Sequence, residues 1–390
     1  MAVTETTTES WGSRIGGSFK GIVTGLGLFI ASFVVLFWNE GDTVKTAKAL
    51  DEGEGDCIPL ESAATVDPDY EGKLVHATGK ADTKDILTDA QFGISENAIK
   101  LERTVEMYQW IEEPHTTEKK NLGGSVTKET TYTYEKNWSA TAVDSTSFKE
   151  AGHDNPGAME FGKESSSAAN VTFGAYTLSA SQIGSIGGSL AYHFPTNYVC
   201  PVARVKLNGN VIYVPNAETR NNELNNRDPV AMPRIGDMRV SFKVVKPHEI
   251  SIVARQHGDS FSAYVAKNGR KIQMLVDGDK SMQEMFADAQ SHNSTMCWIF
   301  RVIGFLLMYI GIKMVLAPIA VLGDVLPFLG NLLGAVNSIG AFVVALPLTL
   351  VTIAIAWIVY RPVIGCILIA VAVALIAWKI STKKKSAPAS

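Results

Sequence analysis

The sequence is poor in cysteine, with four among 390 residues. Four cysteines are too few for a disulfide-framed secreted domain, and no CxxC pair or Cys/His cluster has the spacing of a zinc site. Cys297 and Cys366 lie in apolar runs, where cysteine acts as a small hydrophobic residue. Cys57 and Cys200 lie in a polar region, so they are the one pair that could form a disulfide there if that region faces an oxidising compartment.

The sequence also lacks the motifs of the common enzyme classes. Its seven histidines have no HExxH spacing, no GxSxG elbow occurs, and the glycine-rich stretch 184–189 is followed by neither a Walker lysine nor dinucleotide-binding spacing. We therefore expect no catalytic residues, no metal and no bound cofactor. In GHDNP (152–156), His153 beside Asp154 could serve acid–base chemistry. Asp and Asn before Pro also form turns for structural reasons, and we favour that interpretation.

Positive charge is scarce in the middle of the chain. Residues 39–296 contain 26 Lys and Arg against 36 Asp and Glu, whereas the remaining residues contain 9 basic and 3 acidic side chains. The middle is therefore an acidic block between apolar, weakly basic ends. An acidic block repels phosphate backbones, so nucleic-acid binding is excluded from the expected functions.

Long uncharged runs are what the sequence contains in quantity. The run GIVTGLGLFIASFVVLFW predicts a first transmembrane helix over residues 20–38. A cleaved signal peptide is the alternative, but the bulky end of this run has no small-residue cleavage pattern, and we favour a retained helix. The chain should continue as a helix beyond the run until Gly53 and Gly55 end it.

Three further apolar runs lie near the C-terminus. They predict a second transmembrane helix over residues 297–317, a third over 338–359 and a fourth over 363–378. Arg301, near the start of the second helix, is expected to snorkel toward the membrane surface. Residues 318–337 are almost uncharged but are interrupted by Gly and Pro, so we expect an interfacial or re-entrant segment there.

The orientation follows from the positive residues that flank these runs. In a four-helix arrangement most of them fall on one side, which should be cytoplasmic: Arg14, Lys20, Lys313, Lys379, Lys383, Lys384 and Lys385. Residues 1–19 and 379–390 would then be cytoplasmic tails. Residues 39–296 would form a domain on the other face of the membrane, extracytoplasmic or lumenal.

The domain at 39–296 is expected to be rich in β-structure. Several segments combine alternation or enrichment in β-branched and aromatic residues with Gly, Pro or Asn at their boundaries, as in GKLVHATGKA, RTVEMYQWIEE, KETTYTYEKNW and GDMRVSFKVV. Residues 281–289 are the clearest helix in it. The expected fold class is therefore an α+β membrane protein, with one N-terminal and three C-terminal transmembrane helices.

Small residues recur every four positions beside two of the apolar runs. Such stripes let helix backbones approach closely inside a bilayer. They can pack the helices of one subunit together, which is the simpler interpretation, or they can support self-association between subunits. The positions are Ser13, Gly17, Gly21 and Gly25 at the first run, and Gly330, Gly334 and Ser338 near the third.

Several motifs resemble the transmembrane protein 43, or LUMA, family. They occur in one order along nearly the whole chain, as FWNEG (37–41), EGKLVH (71–76), VEMYQW (105–110), GHDNPGAM (152–159), PRIGDMRVSF (233–242), IVARQHGD (252–259) and YRP (360–362). The resemblance implies four membrane helices with a large domain between the first and the second. It brings no accepted catalytic residues.

Animal members of this family are residents of the endoplasmic reticulum and inner nuclear membrane, where they self-associate and contact emerin and lamins. Those partners apply only to an animal protein. Residues 160–232 depart most from the animal pattern, and we expect a bacterial member in the cell membrane of its host.

These observations predict a non-enzymatic membrane scaffold that self-associates and presents its middle domain for protein binding or membrane organisation. Its expected partners are the lipid bilayer, further copies of itself and proteins that the sequence does not name. A channel or channel regulator is the alternative, because the broken segment 318–337 could line a pore. A membrane-bound enzyme that uses His153 and Asp154 is the less favoured alternative.

Overall fold

The uncharged runs fold as long helices in the computed structural model, which describes residues 3–221, 228–363 and 367. Contacts divide the chain into two units, which we call the β unit and the helical unit. The β unit comprises the described residues within 1–5, 52–116 and 130–286, and the helical unit comprises 6–51, 117–129 and the described residues from 287 onward. A β-rich middle with apolar helices at both ends confirms the predicted α+β class.

Within the part of the chain that the structure describes, three helices are long and apolar enough to cross a membrane: one at the N-terminus and two toward the C-terminus. Two short helices lie within the middle region. The helices are α1 (Trp11–Asp56), α2 (Ala180–Ser185), α3 (Ala217–Asn221), α4 (Met282–Gly323) and α5 (Pro327–Tyr360).

The first helix is much longer than its apolar run. It begins at Trp11, where the Ser13 N–H donates to Ser10 Oγ at 3.2 Å and so satisfies one of the free N–H groups of the first turn. It ends at Asp56, as the glycines at 53 and 55 predict. The part of the expected tail from residue 3 onward is therefore structured, since a strand occupies Val3–Glu9 and the helix begins at Trp11.

The C-terminal helices replace the predicted break with a short turn. Helix α4 continues through Pro318, and α5 begins only four residues after α4 ends, so most of the expected interfacial or re-entrant segment 318–337 is helical. Apolar surroundings favour this outcome, because a backbone in hydrocarbon must satisfy its hydrogen bonds internally even where Gly and Pro weaken the helix. The predicted fourth helix, 363–378, lies outside the described residues apart from 363 and 367.

Helix α4 starts in the middle region with a capping box. The Glu284 N–H donates to Ser281 Oγ at 3.3 Å, and the Ser281 N–H donates to Glu284 Oε2 at 2.9 Å. The helix predicted over 281–289 is thus the first part of α4, which runs without interruption into the apolar run.

One strand precedes α1, and the other strands lie in the described middle region. They are β1 (Val3–Glu9), β2 (Ile58–Pro59), β3 (Leu74–Asp82), β4 (Ile86–Asp89), β5 (Ile94–Asn97), β6 (Lys100–Lys120), β7 (Val126–Ser139), β8 (Glu164–Ser167), β9 (Thr172–Phe173), β10 (Tyr176–Thr177), β11 (Leu190–Ala191), β12 (Lys206–Asn208), β13 (Val211–Val214), β14 (Met238–Val245), β15 (His248–His257), β16 (Ser260–Ser262), β17 (Tyr264–Val265), β18 (Lys271–Ile272) and β19 (Met274–Asp277).

Two larger sheets organise these strands. The first has the order β1-β7-β6-β14-β13-β12, with β14 antiparallel to β6 over eight residue pairs. The second has the order β19-β15-β16-β10-β9-β3-β2, with β15 and β3 also paired. Residues 160–195 contribute short strands to both sheets.

Each sheet covers its own apolar core. In β6, every second residue from Leu101 to Gln109 is buried, which is the period of a strand with one covered face. Val105 and Met107 pack there with Phe242 of β14. The second core gathers Ile250 and Ile252 of β15 with residues of β3, β9 and β10.

Candidate functional site at a three-helix junction

A fully buried carboxylate connects the three long helices. Glu40 of α1, in the FWNEG stretch, has no exposed surface. Arg301 Nε of α4 donates to Glu40 Oε1 at 2.6 Å, and Trp357 Nε1 of α5 donates to Oε2 at 2.8 Å. Each oxygen of the carboxylate therefore has a partner on a different helix.

These partners offset the free-energy cost of burying Glu40. An isolated buried carboxylate costs several kcal/mol, and a charged partner with good hydrogen-bond geometry is needed to offset that cost. The sequence-based expectation that Arg301 snorkels to the surface is wrong, because its side chain is only 12% exposed and pairs inward. The glutamate and the arginine can be buried together because each neutralises the other.

Residues next to Glu40 make further contacts between the helices. Asn39 Nδ2 donates to the Cys297 carbonyl oxygen at 3.1 Å, which ties α1 to α4 beside the carboxylate. Gly41 lies against the Tyr360 ring, where an added Cβ would come within 2.6 Å of a ring carbon. Close contact therefore requires glycine at position 41, which explains the small residue after Glu40 in physical terms.

Aromatic rings hold the two arginines of the junction. The Arg301 guanidinium lies 4.6 Å from the Trp298 ring centroid and 5.6 Å from that of Trp357. The Arg361 guanidinium lies 5.9 Å from the Trp357 centroid. These distances are within the range of cation–π attraction.

A polar cavity of about 220 Å³ opens beside this junction. Thr43 and Ala47 of α1, Ser294 of α4 and the two arginines contribute to its lining. The cavity adjoins the ends of the apolar runs, where tryptophan and arginine are common in membrane proteins.

A second buried carboxylate lies at the opposite end of the helical unit. Asp324, in the turn between α4 and α5, is 2% exposed. Lys120 Nζ donates to its Oδ1 at 2.7 Å, and Arg14 forms an ion pair with its Oδ2. Burial alone would raise the pKa of Asp324, but the hydrogen bonds from Lys120 and Arg14 outweigh it and lower the pKa below the usual aspartate value.

The turn between β6 and β7, residues 121–125, also contacts this end of the helices. Arg14 Nη1 donates to the Gly124 carbonyl oxygen at 2.6 Å, and the Gly123 N–H donates to the Val325 carbonyl oxygen at 3.0 Å. The orientation rule assigned Arg14 to the cytoplasm and residues 39–296 to the opposite face. The structure disagrees with that assignment at residues 120–124, which lie beside Arg14.

The small residues at the first run differ in their surroundings. A Cβ on Gly25 would come within 2.8 Å of the Gly311 carbonyl oxygen, and one on Gly21 would meet Met314 at 3.8 Å. Both therefore face α4 of the same chain. Ser13 and Gly17 are exposed, and Gly17 has nothing within 4 Å of an added Cβ.

The small residues near the third run also separate into two kinds. Gly330 lies against Asp324, which leaves no room for a Cβ. Gly334 has nothing within 4 Å of an added Cβ, and its carbonyl oxygen accepts from Ser338 Oγ at 3.1 Å within the same helix.

The cysteines of the middle region do not pair. Cys57 and Cys200, the one pair that could form a disulfide there, are both free thiols in the structure. Cys57 is buried, and burial raises the pKa of its thiol to about 12. Cys200 packs at the edge of the first sheet's core instead.

His153 is held by aromatic packing. Its ring stacks on Tyr134 with centroids 4.0 Å apart and meets the edge of Trp110 at 4.5 Å. Asn155, two residues on, exchanges hydrogen bonds with the backbone of Trp110, and the adjacent Asp154 is exposed. This arrangement is that of a structural turn. Among the described residues no group of His, Cys, Asp and Glu could hold a metal ion.

Sequence reasoning missed both buried carboxylates, although each left a signal. Glu40 directly follows an uncharged run, and Arg301 lies inside another, so the two opposite charges could have been matched across helices. Asp324 is the sole acidic residue after position 297. A lone charge in an apolar segment normally has a partner.

Comparison with known proteins gives one consistent result. Residues 107–362 match the family model described as Transmembrane protein 43. The mouse protein of that name is 34% identical over 90% of this chain and 87% of its own length. The human protein is 32% identical, covering 90% and 86%, and the Drosophila melanogaster homolog is 30% identical, covering 89% and 90%. No solved structure matches the chain.

Proposed function

Because the chain belongs to the transmembrane protein 43 family, we propose that it is a non-enzymatic integral membrane scaffold, which self-associates and presents its β unit for protein binding or membrane organisation. The observation that carries this proposal is the construction of the helical unit. Its interior is closed by fixed contacts, and its outward faces are apolar.

The outward face of α1 illustrates this construction. Its exposed large side chains form a stripe at helical spacing, consisting of Phe19, Val23, Leu26, Ile30, Val34 and Trp38. A stripe of this kind needs lipid or another apolar surface to cover it. The inward side, by contrast, is fixed by the Gly25–Gly311 approach and by Glu40. Such a helical unit suits an anchor better than a part that moves during transport.

The features that suggested the alternatives support them less than the helical unit supports the scaffold. The channel hypothesis depended on a broken segment at 318–337, which is helical apart from a short turn. The enzyme hypothesis depended on His153, which is packed between aromatic rings. The scaffold hypothesis does not depend on either feature.

For orientation we propose that both termini face the cytoplasm and that the β unit faces the other side. The flanking Lys and Arg residues support this. The position of the turn at 121–125 beside Arg14 argues against this orientation. If Arg14 is cytoplasmic and the β unit lies on the other side of the membrane, strands β6 and β7 would have to cross the bilayer.

The free-energy cost of placing β6 and β7 in lipid exceeds the stabilisation from the hydrogen bonds of the turn, which favours the proposed orientation. Three charge-assisted or backbone hydrogen bonds at Asp324 and its surroundings contribute less than about 10 kcal/mol together. Crossing hydrocarbon would place charged side chains of β6, such as Glu112, Glu113 and Lys119, in lipid at about 3 kcal/mol each. Unpaired backbone groups at the strand edges would each cost several kcal/mol more. We therefore propose that the turn leaves Asp324 when the helices span a bilayer.

Self-association is tested by crosslinking the full chain in native membranes. Within the small-residue stripe of the first run, Ser13 and Gly17 are exposed and can meet a second subunit, so we expect S13L with G17L to reduce the crosslinked dimer several-fold. Gly27, on the same helix with nothing within 4 Å of an added Cβ, supplies the matched control G27L. An unchanged dimer in the double variant, or a wild-type chain that never crosslinks, contradicts this part of the proposal.

The scaffold role is tested by capturing the full chain from the membranes of its host and identifying the partners by mass spectrometry. We expect the captured partners to bind no longer when exposed residues of the β unit, such as Ile86, are changed, while the chain stays in the membrane. Capture of no protein beyond the chain itself would contradict the scaffold role.

A further inference from the structure

The polar cavity beside Glu40 has the properties of an anion site. It is lined mainly by groups able to donate hydrogen bonds, including Ser294 and the guanidinium groups of Arg301 and Arg361. Its volume of about 220 Å³ exceeds what a phosphate group needs. We propose that this cavity binds the phosphate group of an anionic phospholipid.

The charges around the cavity support a bound anion. Glu40 neutralises Arg301 through the 2.6 Å hydrogen bond, so that pair contributes no net charge. No carboxylate among the described residues pairs with Arg361; its guanidinium contacts the Trp357 ring, and its backbone N–H donates to the Trp357 carbonyl oxygen at 2.7 Å. Among the described residues that line it, the cavity therefore keeps one uncompensated positive charge, and an anion is the ligand that it attracts.

The position of Arg361 identifies the anion as that of a lipid. Arg361 immediately follows α5, at the point where the apolar run of that helix ends. Trp298 and Trp357, whose indole rings flank the cavity, are of the residue type that occupies the headgroup level of membranes. A phosphate at that level belongs to the lipids that surround the helices. Recognition of a headgroup by a basic pocket between helices follows the usual electrostatics of membrane surfaces.

A second site, an apolar groove, fits the acyl part of such a lipid. A groove of about 560 Å³ between α1 and α5 is lined by apolar side chains, including Phe33, Phe37 and Ile355, and it ends at Tyr360, next to Arg361. An acyl chain is the apolar group that the membrane supplies to this groove. The cavity alone carries the proposal, because the charge is there.

Arg361 can be changed without touching the buried ion pair, so the test uses R361Q. Lys313, an exposed cation at the other end of α4's apolar run, supplies the matched control K313Q. The purified full chain in detergent is titrated with phosphatidylglycerol, phosphatidylcholine and inorganic phosphate, and binding is followed by native mass spectrometry. We expect phosphatidylglycerol to bind at least tenfold more tightly than phosphatidylcholine, R361Q to remove most of that preference, and K313Q to retain it.

A second variant separates binding from folding. Ala47 lines the cavity without contributing charge, so A47L should fill part of it and weaken phosphatidylglycerol binding several-fold while the thermal midpoint stays close to that of the unmodified chain. Equal losses in R361Q and K313Q would indicate general charge attraction and overturn the proposal. Inorganic phosphate that binds as tightly as the lipid would reduce the cavity to a site for small anions and overturn the lipid assignment.

Discussion

At the residue scale, a few charged side chains decide how the helices pack. Lipid is as apolar as leucine, so hydrophobic burial cannot choose the partner of a transmembrane helix, whereas a buried Glu40 must find a donor on each side. Arg301 and Trp357 supply those donors from two other helices. The sequence indicated where the helices lie, but not which side chains join them, because that pairing depends on helix rotation.

Removal of the buried carboxylate should be costly. E40Q leaves the Arg301 guanidinium buried without its charge partner, and breaking a buried pair typically costs about 3–5 kcal/mol of unfolding free energy. Glu54 is exposed on the same helix, so E54Q should change the free energy by less than about 0.5 kcal/mol. Thermal unfolding in detergent measures both. The double variant E40Q with R301Q should regain part of the loss, and fully additive losses would contradict the pairing.

The thiol of Cys57 should be unreactive. Its pKa of about 12 in the folded chain lies above the usual value of 9, so the thiolate is scarce at neutral and mildly alkaline pH. Because the pKa is raised on folding, the contribution of this group to stability is full below pH 9 and is lost as the pH rises toward 12.

Maleimide labelling at pH 8, read by peptide mass spectrometry, checks this expectation. Cys200, which is more exposed, should be labelled faster than Cys57 in the folded protein, and the two should react alike after denaturation. A Cys57–Cys200 disulfide in protein prepared without reductant would contradict the structure.

At the element scale, apolar runs and strand alternation predicted most of the secondary structure. The strand-rich segment that forms most of β6 and the helix at 281–289 that begins α4 could be predicted because both depend on local sequence. The continuation of α4 through Pro318 was not, because the breaking effect of Pro and Gly is weaker where no water competes for the backbone. The pairing of β1 with β7 was missed since it joins segments more than 100 residues apart.

The close approach of α1 and α4 should be sensitive to volume at one glycine. G25L would place its side chain against the Gly311 carbonyl, and overpacking of this kind costs about 1–3 kcal/mol or more. G27L, two residues away in open space, is the matched comparison and should unfold at nearly the same temperature as the unmodified chain. Equal midpoints for G25L and G27L in detergent would show that the two helices do not meet at Gly25.

The turn at 121–125 should leave its docked position in a bilayer. Leu122 is 80% exposed, so L122C in an otherwise cysteine-free chain provides a label there. In sealed vesicles we expect it to react from the same side as I86C in the β unit, because polar strands cannot cross hydrocarbon. Reaction from the side of S13C instead would mean that the turn stays docked at Asp324.

At the scale of the whole molecule, the two units differ in their surfaces and in their cores. The helical unit carries the apolar surface that requires lipid, and the β unit carries two sheets with separate cores. Composition predicted one polar domain over residues 39–296, whereas the structure places residues 39–51, 117–129 and 287–296 in the helical unit. The sequence did not reveal the candidate site, because its residues come from positions 40, 301, 357 and 361, which only folding brings together.

The central claim is that the apolar helices span a bilayer and hold the β unit on one side of it. Labelling of S13C and I86C by a membrane-impermeant maleimide, in sealed right-side-out vesicles before and after permeabilisation, tests it most directly. We predict that I86C reacts in intact vesicles and that S13C reacts only after permeabilisation. Reaction of both from the same side, or recovery of the chain in the soluble fraction, would contradict the claim.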